Sequence, residues 1–455
     1  MVQLPLSRAR RRRRAEADSP QHERGGSLGR LRLYHFSSPT VLALAVVGLA
    51  VGFGQFGAVA ALGEVARSFG HAVKGTTIAD QAGLSGTELG VGLAVLRLAS
   101  LGGLGLTSLA DRYGRRRTLL WNCTLGLAIT AAAALSPSYW SFVAIFALGR
   151  PLLSTAAALT QVMAAEQTDA RNRAAAIALM SGGYGLGSGI TALLHSLFGS
   201  AVGFRVLFAL ALVPLLALAP LARHLTEPDR FRAEARRPAA PLRQALEASY
   251  RRRLAVVLAL AFCVAFMAGP VNSFFFVYAE NVLGLSGRVV ALLVVGAGAA
   301  GLVGLVGGRH LADRFGRRPT GAFAMVAMAI CAVVTYSGHK PALALGYVLG
   351  ILSASVLAPA AGALSNEVFP TSIRASVAGW LIGASVMGAV LGLLSFGAIA
   401  DAGRAFELGA VVVAAVACLS AVLFVFLPES AGLEPETLAP DGGGFELRGG
   451  ATSGF

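Results

Sequence analysis

The feature that most constrains this chain is a series of long segments that carry almost no charge. Charged residues make up only 13% of the 455 residues, and they are gathered into short clusters between apolar segments. Soluble domains carry about a quarter charged residues, so this chain has too few charges to cover a water-facing surface. A helix needs about 20 apolar residues to cross a bilayer. These segments therefore predict membrane-spanning helices.

Twelve such spans are predicted, an even number that places both chain ends on one side. The apolar segments give bounds of about 41–63, 89–109, 118–136, 139–164, 174–195, 204–222, 254–279, 289–309, 319–337, 341–365, 375–398 and 405–427. The terminal segments, 1–37 and 433–455, are polar and rich in glycine and arginine. We expect them to be disordered cytoplasmic tails, because such compositions bury too little apolar surface to fold.

The basic residues are concentrated on one side of this topology. Most of the 38 lysines and arginines precede the first span or lie in the loops after spans 2, 6 and 8. This asymmetry predicts that both termini are cytoplasmic. The run Arg10–Arg14 then sets the orientation against anionic lipid, and nucleic acid is not an expected partner. Arginine greatly outnumbers lysine, which suggests a GC-rich bacterial gene and therefore the bacterial inner (plasma) membrane.

The chain also repeats itself at a period of about 200 residues. The loop Leu109–Arg117 returns as Leu311–Pro319, and both copies read Leu-Ala-Asp-Arg-aromatic-Gly-Arg-Arg. Further landmarks recur in register: Glu166 and Arg173 with Glu367 and Arg374, Gly182 and Gly187 with Gly383 and Gly388, and Leu225–Pro228 with Leu427–Ser430. We therefore expect two six-span halves, at 38–222 and 254–432, joined by a cytoplasmic linker at 223–253. This is the parallel-repeat architecture of a transporter.

On these motifs the chain resembles the major facilitator superfamily (MFS) over nearly all of residues 38–432. The duplicated loop is the superfamily's most specific motif, and Asn366–Arg374 and Leu427–Glu434 resemble its sugar-porter and metabolite–proton symporter branches. The resemblance implies an all-α membrane protein of two pseudo-symmetric halves that moves a small polar metabolite by alternating access. We expect a multi-pass monomer in contact with membrane lipid, with protons as a candidate coupling ion.

The charged loops are predicted to form a cytoplasmic gate. An aspartate that ends a span can interact with nearby arginines and with the positive end of a neighbouring helix. The resemblance implies that such pairs latch the gate and break when the carrier opens inward. Acidic residues contribute little to topology, which favours a latch over a purely anchoring role. The predicted gating residues are Asp111, Arg115, Arg116, Glu166, Arg173, Asp313, Arg317, Arg318, Glu367 and Arg374.

Two arginines inside predicted spans are the main pointers to a substrate site. Arg150 lies near the middle of span 4 and Arg97 in the outer half of span 2, where an unpaired charge costs about 2.5–3.5 kcal/mol. Both depart from the repeat, since their counterparts are Ile351 and Ala299. The resemblance implies that Arg150 faces the cavity, while the alternative is a structural arginine bonded to nearby polar groups. Two buried positive charges without acids nearby suit an anionic substrate, such as a carboxylate metabolite.

Span 1 carries Gln55 where proton-coupled carriers of the family usually place an aspartate, and an amide cannot carry a proton. Glu64, Glu88 and Glu280 lie near the outer ends of spans. The sequence therefore predicts no proton relay in the middle of the membrane.

Span 7 adds two polar candidates, and Gly269-Pro270 would permit a break in its helix. Asn272 is polar at depth, and Tyr278 carries a hydroxyl toward the outer mouth. The predicted substrate-binding residues are Gln55, Arg97, Arg150, Asn272 and Tyr278.

Nothing in the sequence predicts an enzyme, a cofactor or a metal site. Gly296–Gly301 matches a dinucleotide-binding pattern, but it lies in an uncharged segment where close helix packing explains it better. The four cysteines sit alone in different spans, and His195 has no metal-ligand spacing. Efflux of drugs or metabolites is an alternative function, although span 5 lacks the Gly-Pro signature of the family's exporters. A non-transporting membrane sensor is the remote alternative.

Overall fold

The computed structural model describes residues 39–71, 82–168, 173–227, 248–369, 373–402 and 405–429. Within these ranges, twelve helices are long and apolar enough to cross a membrane, which confirms the predicted all-α fold. The predicted tails and much of the 223–253 linker lie outside the described residues. The exact domain bounds therefore stay a prediction.

In the described part of the N-terminal half there are six spans, a short α-helix, Leu62–Phe69, that follows span 1, and a 3-10 turn, Ala133–Leu135, that ends span 3. Spans 1 to 6 are Pro39–Ala60; Gly86–Ala99 with Gly102–Tyr113; Arg115–Ala132; Tyr139–Glu166; Arg173–Val202; and Phe204–Ala209 with Leu212–Leu221. The C-terminal half repeats this order. Spans 7 to 12 are Ala248–Ser273, Gly287–Phe315, Arg317–Thr335, Lys340–Glu367, Arg374–Asp401 and Ala405–Ser420, the last continued by a 3-10 helix at Ala421–Phe426.

Glycine turns join span 2 to span 3 and span 8 to span 9. Gly114 and Gly316 have φ angles of +92° and +99°, a conformation that favours glycine because it has no Cβ. The arginine clusters of the duplicated loop surround these turns. We call this end of the bundle the arginine end and the other end the opposite end.

Glycine also sets the closest helix packing in each half. A Cβ added at Gly187 of span 5 would overlap the carbonyl oxygen of Leu49 in span 1, and one at Gly388 of span 11 would overlap that of Phe262 in span 7. Small residues let helix backbones approach closely in membranes. The repeat therefore places span 1 directly on span 5, and span 7 directly on span 11.

Span 7 ends at Ser273 rather than near residue 279, which corrects its predicted bound. The helix passes through Pro270, and the amide of Phe274 still donates to the Pro270 carbonyl at 2.9 Å. The ring of Phe274 packs on Phe396, 5.2 Å between centroids. The chain then continues as a π-helical turn, Val277–Val282, at the opposite end.

Candidate functional site

Arg150 lies against the backbone of span 1, in the part of the bundle where spans 1, 4 and 5 meet. Its Nη1 donates to the main-chain oxygen of Gln55 at 2.8 Å. Its Nε is buried and has no hydrogen-bond acceptor among the described residues. One side of the guanidinium is therefore fixed by the protein, while another polar edge is left without a partner.

The side chain of Gln55 is buried and held on two sides. The hydroxyl of Tyr184 in span 5 donates to its Oε1 at 3.1 Å, and its Nε2 lies 3.4 Å from Ser154 Oγ in span 4. Both of its amide atoms are therefore engaged by the protein. We interpret Gln55 as the residue that connects Arg150 to Tyr184.

Arg97 of span 2 joins this group electrostatically. It lies within interaction range of both Arg150 and the Tyr184 hydroxyl. Among the described residues, no carboxylate forms an ion pair with either arginine. We call Arg97, Arg150, Gln55, Tyr184 and Ser154 the arginine pair site. Two like charges in one partly buried place favour an anion.

The structure places the other two predicted substrate residues, Asn272 and Tyr278, in the C-terminal half. Asn272 Nδ2 donates to the Ala268 carbonyl of its own helix at 2.9 Å, and its side chain lines a cavity of about 40 Å³. Tyr278 is buried between aromatic rings, and its hydroxyl accepts from the amide of Gly338 at 2.9 Å. Their contacts describe packing and capping, so we leave both outside the arginine pair site.

A larger cavity of about 390 Å³ lies in the C-terminal half. Mostly apolar side chains of spans 7, 10 and 11 line it, with Phe424 and Leu427 from the end of span 12. The two C-terminal cavities share Ala354. Neither cavity is lined by Arg97 or Arg150. The arginine pair site is therefore identified by its buried charges and not by a cavity.

At the arginine end, the predicted gating residues Arg115 and Arg116 hold span 3 to its surroundings. Arg115 forms an ion pair with Glu166 of span 4. Arg116 Nη2 donates to the carbonyl of Ala222 at 2.9 Å. The equivalent residue Arg318 donates to the carbonyls of Phe424 and Val425, at 2.9 and 2.7 Å. The second arginine of each loop thus binds the end of the last span in its own half.

Other predicted gating residues are only partly described. The side chains of Asp111, Arg173, Glu367 and Arg374 lie outside the description. Asp313 is 62% exposed and pairs at 3.9 Å with Arg309, one turn earlier in span 8. Exposed pairs of this kind contribute little stability, a median of about 0–1 kcal/mol.

Two glutamates at this end were not predicted as functional. Both carboxylate oxygens of Glu227 accept hydrogen bonds from the first amides of span 3, those of Arg115 and Arg116. Glu429 does the same for Arg317 and Arg318, at 2.9 and 3.1 Å. The recurrence of Leu225–Pro228 as Leu427–Ser430 was the sequence signal that could have identified these two glutamates. We call these two contacts the glutamate caps.

At the opposite end, hydrogen bonds join the two halves directly. Both carboxylate oxygens of Asp401 in span 11 accept from the amides of Gly86 and Thr87, at 2.6 and 2.7 Å, where span 2 begins. Asn281 Nδ2 lies 3.4 Å from the carbonyl of Gly63. The opposite end is therefore closed in this structure.

Comparison with known proteins agrees with this architecture. The family model described as Major Facilitator Superfamily matches residues 44–333 and 305–449. The chain is 27% identical to a probable 4-methylmuconolactone transporter of Cupriavidus pinatubonensis, over 68% of this chain and 75% of the relative. It is 24% identical to a cis,cis-muconate transport protein of Acinetobacter baylyi, over 75% and 85% of the two chains.

A solved structure shares the fold. The inward open xylose transporter of E. coli superposes with a TM-score of 0.66 and 18% identity, over 88% of this chain and 98% of that one. The matches to the family model cover most of both halves, and twelve apolar helices are present among the described residues. The chain belongs to the Major Facilitator Superfamily and is a multi-pass membrane transporter that moves a small metabolite by alternating access.

Proposed function

We propose that this protein carries a small carboxylate across the bacterial inner membrane and that Arg150 and Arg97 bind the substrate. The observation that carries the proposal is the buried Nε of Arg150, which has no acceptor among the described residues. A charge left without a partner inside a membrane is costly. A substrate carboxylate would supply that partner, because guanidinium groups bind carboxylates in a two-pronged geometry.

The presence of a second arginine narrows the substrate class. One carboxylate can satisfy Arg150 through its free edge, while Arg97 offers its own guanidinium to a second acidic or polar group. The name of one relative denotes muconate, a dicarboxylate. We therefore favour a small dicarboxylate, or a monocarboxylate with a second polar oxygen.

Orientation follows from the charge distribution. The arginine end carries the basic loops, so the positive-inside rule supports a cytoplasmic location for this end and for both termini. The opposite end then faces outward and is the closed one. This arrangement supports an inward-facing state. We further propose that the protein is an importer, acts as a monomer and catalyses no reaction. Efflux stays the alternative, since no contact of the described residues fixes the direction of transport.

The test is uptake by proteoliposomes of radiolabelled cis,cis-muconate and, as a neutral comparison, xylose. We expect muconate uptake by the wild-type protein, and a loss of at least about tenfold in Arg150→Gln, since a hydrogen bond to a charged group contributes about 1.5–3 kcal/mol. Arg309→Gln is the matched control, because Arg309 is exposed on span 8. Unchanged carboxylate uptake in well-expressed Arg150→Gln would overturn the proposal.

A further inference from the structure

His195 lies in span 5, at the opposite end of the bundle, between two glutamates that belong to different halves of the protein. Its Nε2 is 3.3 Å from Glu280 Oε2, and its Nδ1 is 3.5 Å from Glu64 Oε2. Glu64 belongs to the short helix after span 1, and Glu280 to the π-helical turn after span 7. The side chain of His195 is only 4% exposed. Sequence spacing gave no sign of this triad.

The geometry of the triad calls for a proton. A neutral imidazole donates from one nitrogen and accepts at the other, whereas an imidazolium donates from both. Here both ring nitrogens face carboxylate oxygens. Without an added proton, one nitrogen lone pair would face a carboxylate, and two half-buried negative charges would stand on either side of a neutral ring. A proton shared by the triad removes both conflicts.

We propose that Glu64, His195 and Glu280 form a proton-binding site whose occupancy closes the opposite end of the transporter. The proton links the halves because Glu64 and His195 belong to the N-terminal half and Glu280 to the C-terminal half. Loss of the proton leaves Glu64 and Glu280 repelling each other across the interface. Protonation therefore favours the closed arrangement seen here.

The other charged groups around the triad do not replace the proton. Arg67 is the additional described side chain whose charge acts on Glu64, and it lies one turn further along the same short helix. Arg205, at the start of span 6, donates to the carbonyl of Ala134 at 2.7 Å. Arg288, at the start of span 8, is exposed. The Phe276 ring, whose centroid lies 6.2 Å from that of the imidazole, adds an apolar wall.

The titration of Glu64 acts in the same direction. Burial, with a smaller contribution from Glu280, raises the pKa of Glu64 above its ordinary value, although His195, the Phe204 amide and Arg67 oppose the change. A pKa that is raised in the closed state means that protonation stabilises that state, and that this stabilisation is lost as the pH rises. Acid on the outer side would thus favour closure, which suits an importer driven by external protons.

This inference rests on the proposed alternation and orientation, but not on the substrate. The test is the distance between the halves at the opposite end, measured by electron–electron double resonance between spin labels in a variant without native cysteines. Leu135→Cys, between spans 3 and 4, and Lys340→Cys, at the start of span 10, carry the labels, because both positions are exposed and each lies in a different half.

We expect the labels to move apart as the pH rises from about 5 to 8, because loss of the shared proton leaves Glu64 and Glu280 repelling each other. His195→Gln should abolish the response. The control His310→Gln should retain the response. His310 is exposed on span 8, and its Nδ1 lies 2.8 Å from the carbonyl oxygen of Val306 in the same helix. Should His195→Gln not reach the membrane, Glu280→Gln gives the same test, because it removes the partner from the other half.

A distance that does not depend on pH in the parent protein, or a full response in His195→Gln, would overturn the inference. Arg150→Gln separates the two proposals. It should lose carboxylate uptake and keep the pH response, since the labels report closure without substrate. Failure of the triad would leave the carboxylate result standing, and failure of the carboxylate result would leave the triad standing.

Discussion

Asp401 accepts a hydrogen bond from the amide of Gly86 at 2.6 Å, and this contact ties the end of span 11 to the beginning of span 2. The carboxylate also accepts from Thr87, so it occupies the N-terminus of a helix, where backbone amides and the helix dipole favour negative charge. Opening of this end would move span 11 away from span 2 and break the contact. The contact therefore stabilises one state of the transport cycle over the other.

Asp401→Ala should shift the protein toward the state that is open at this end. Loss of a capping side chain costs about 1 kcal/mol, which corresponds to roughly a fivefold change in the ratio of the two states. The Leu135 and Lys340 spin labels measure that ratio. Glu407→Ala, which removes another carboxylate near this end of the C-terminal half, should leave the ratio of the two states unchanged. An unaltered distance distribution in Asp401→Ala would contradict a closing role.

Arg97 and Arg150 should contribute differently to the binding of dicarboxylates and of monocarboxylates. Arg97→Gln should weaken binding of a dicarboxylate by roughly tenfold, as expected for one lost charge-assisted hydrogen bond, while a monocarboxylate loses less. Arg150→Gln should weaken both, because Arg150 provides the buried edge that has no acceptor among the described residues. Competition against labelled muconate in proteoliposomes gives the apparent affinities. Equal losses for both acids in Arg97→Gln would assign that arginine a general structural role.

The glutamate caps should stabilise each half independently. Glu227→Ala and Glu429→Ala each remove an acceptor for two helix amides, a loss of about 1 kcal/mol. For a domain of this size that change lowers the melting temperature by about 2–4 °C. The double variant should lose about the sum, because the caps lie in different halves. Thermal scanning of purified protein measures this, and Asp313→Ala, which removes only an exposed ion pair, should be neutral.

The glycines of span 5 allow a comparison within one helix. Gly187→Ala would drive a methyl group into the carbonyl of Leu49, whereas a Cβ at Gly185 meets nothing within 4 Å. We expect Gly187→Ala to reduce folded protein in the membrane severely and Gly185→Ala to be tolerated. Size-exclusion chromatography of a fluorescent fusion measures both. Normal folding of Gly187→Ala would show that spans 1 and 5 can separate without loss of the fold.

Much of the fold was predictable because its signals are long and repeated. Uncharged segments gave twelve spans, and the repeat of Leu109–Arg117 as Leu311–Pro319 gave the two halves. The predicted end of span 7 near residue 279 was wrong, because the apolar run Phe274–Ala279 extends past the end of the α-helix at Ser273 and into the π-helical turn Val277–Val282.

The site was predictable only where chemistry is conspicuous in the sequence itself. Arg97 and Arg150 stand out because they are charges in apolar segments. The contact between Tyr184 and Gln55 depends on glycine packing that composition does not reveal. The triad is further out of reach, since Glu64, His195 and Glu280 are far apart in the chain and become neighbours only when the halves meet.

The glutamate caps have a consequence for how such a protein could be assembled. Each cap fastens the segment that follows the sixth span of a half to the third span of that same half, so each half is closed by its own residues. A polypeptide cut between the halves would lose the connection between them but would keep both glutamate caps. Two separately translated pieces could then reunite in the bilayer, as expected of a gene that arose when one ancestral six-helix unit was copied and fused to itself.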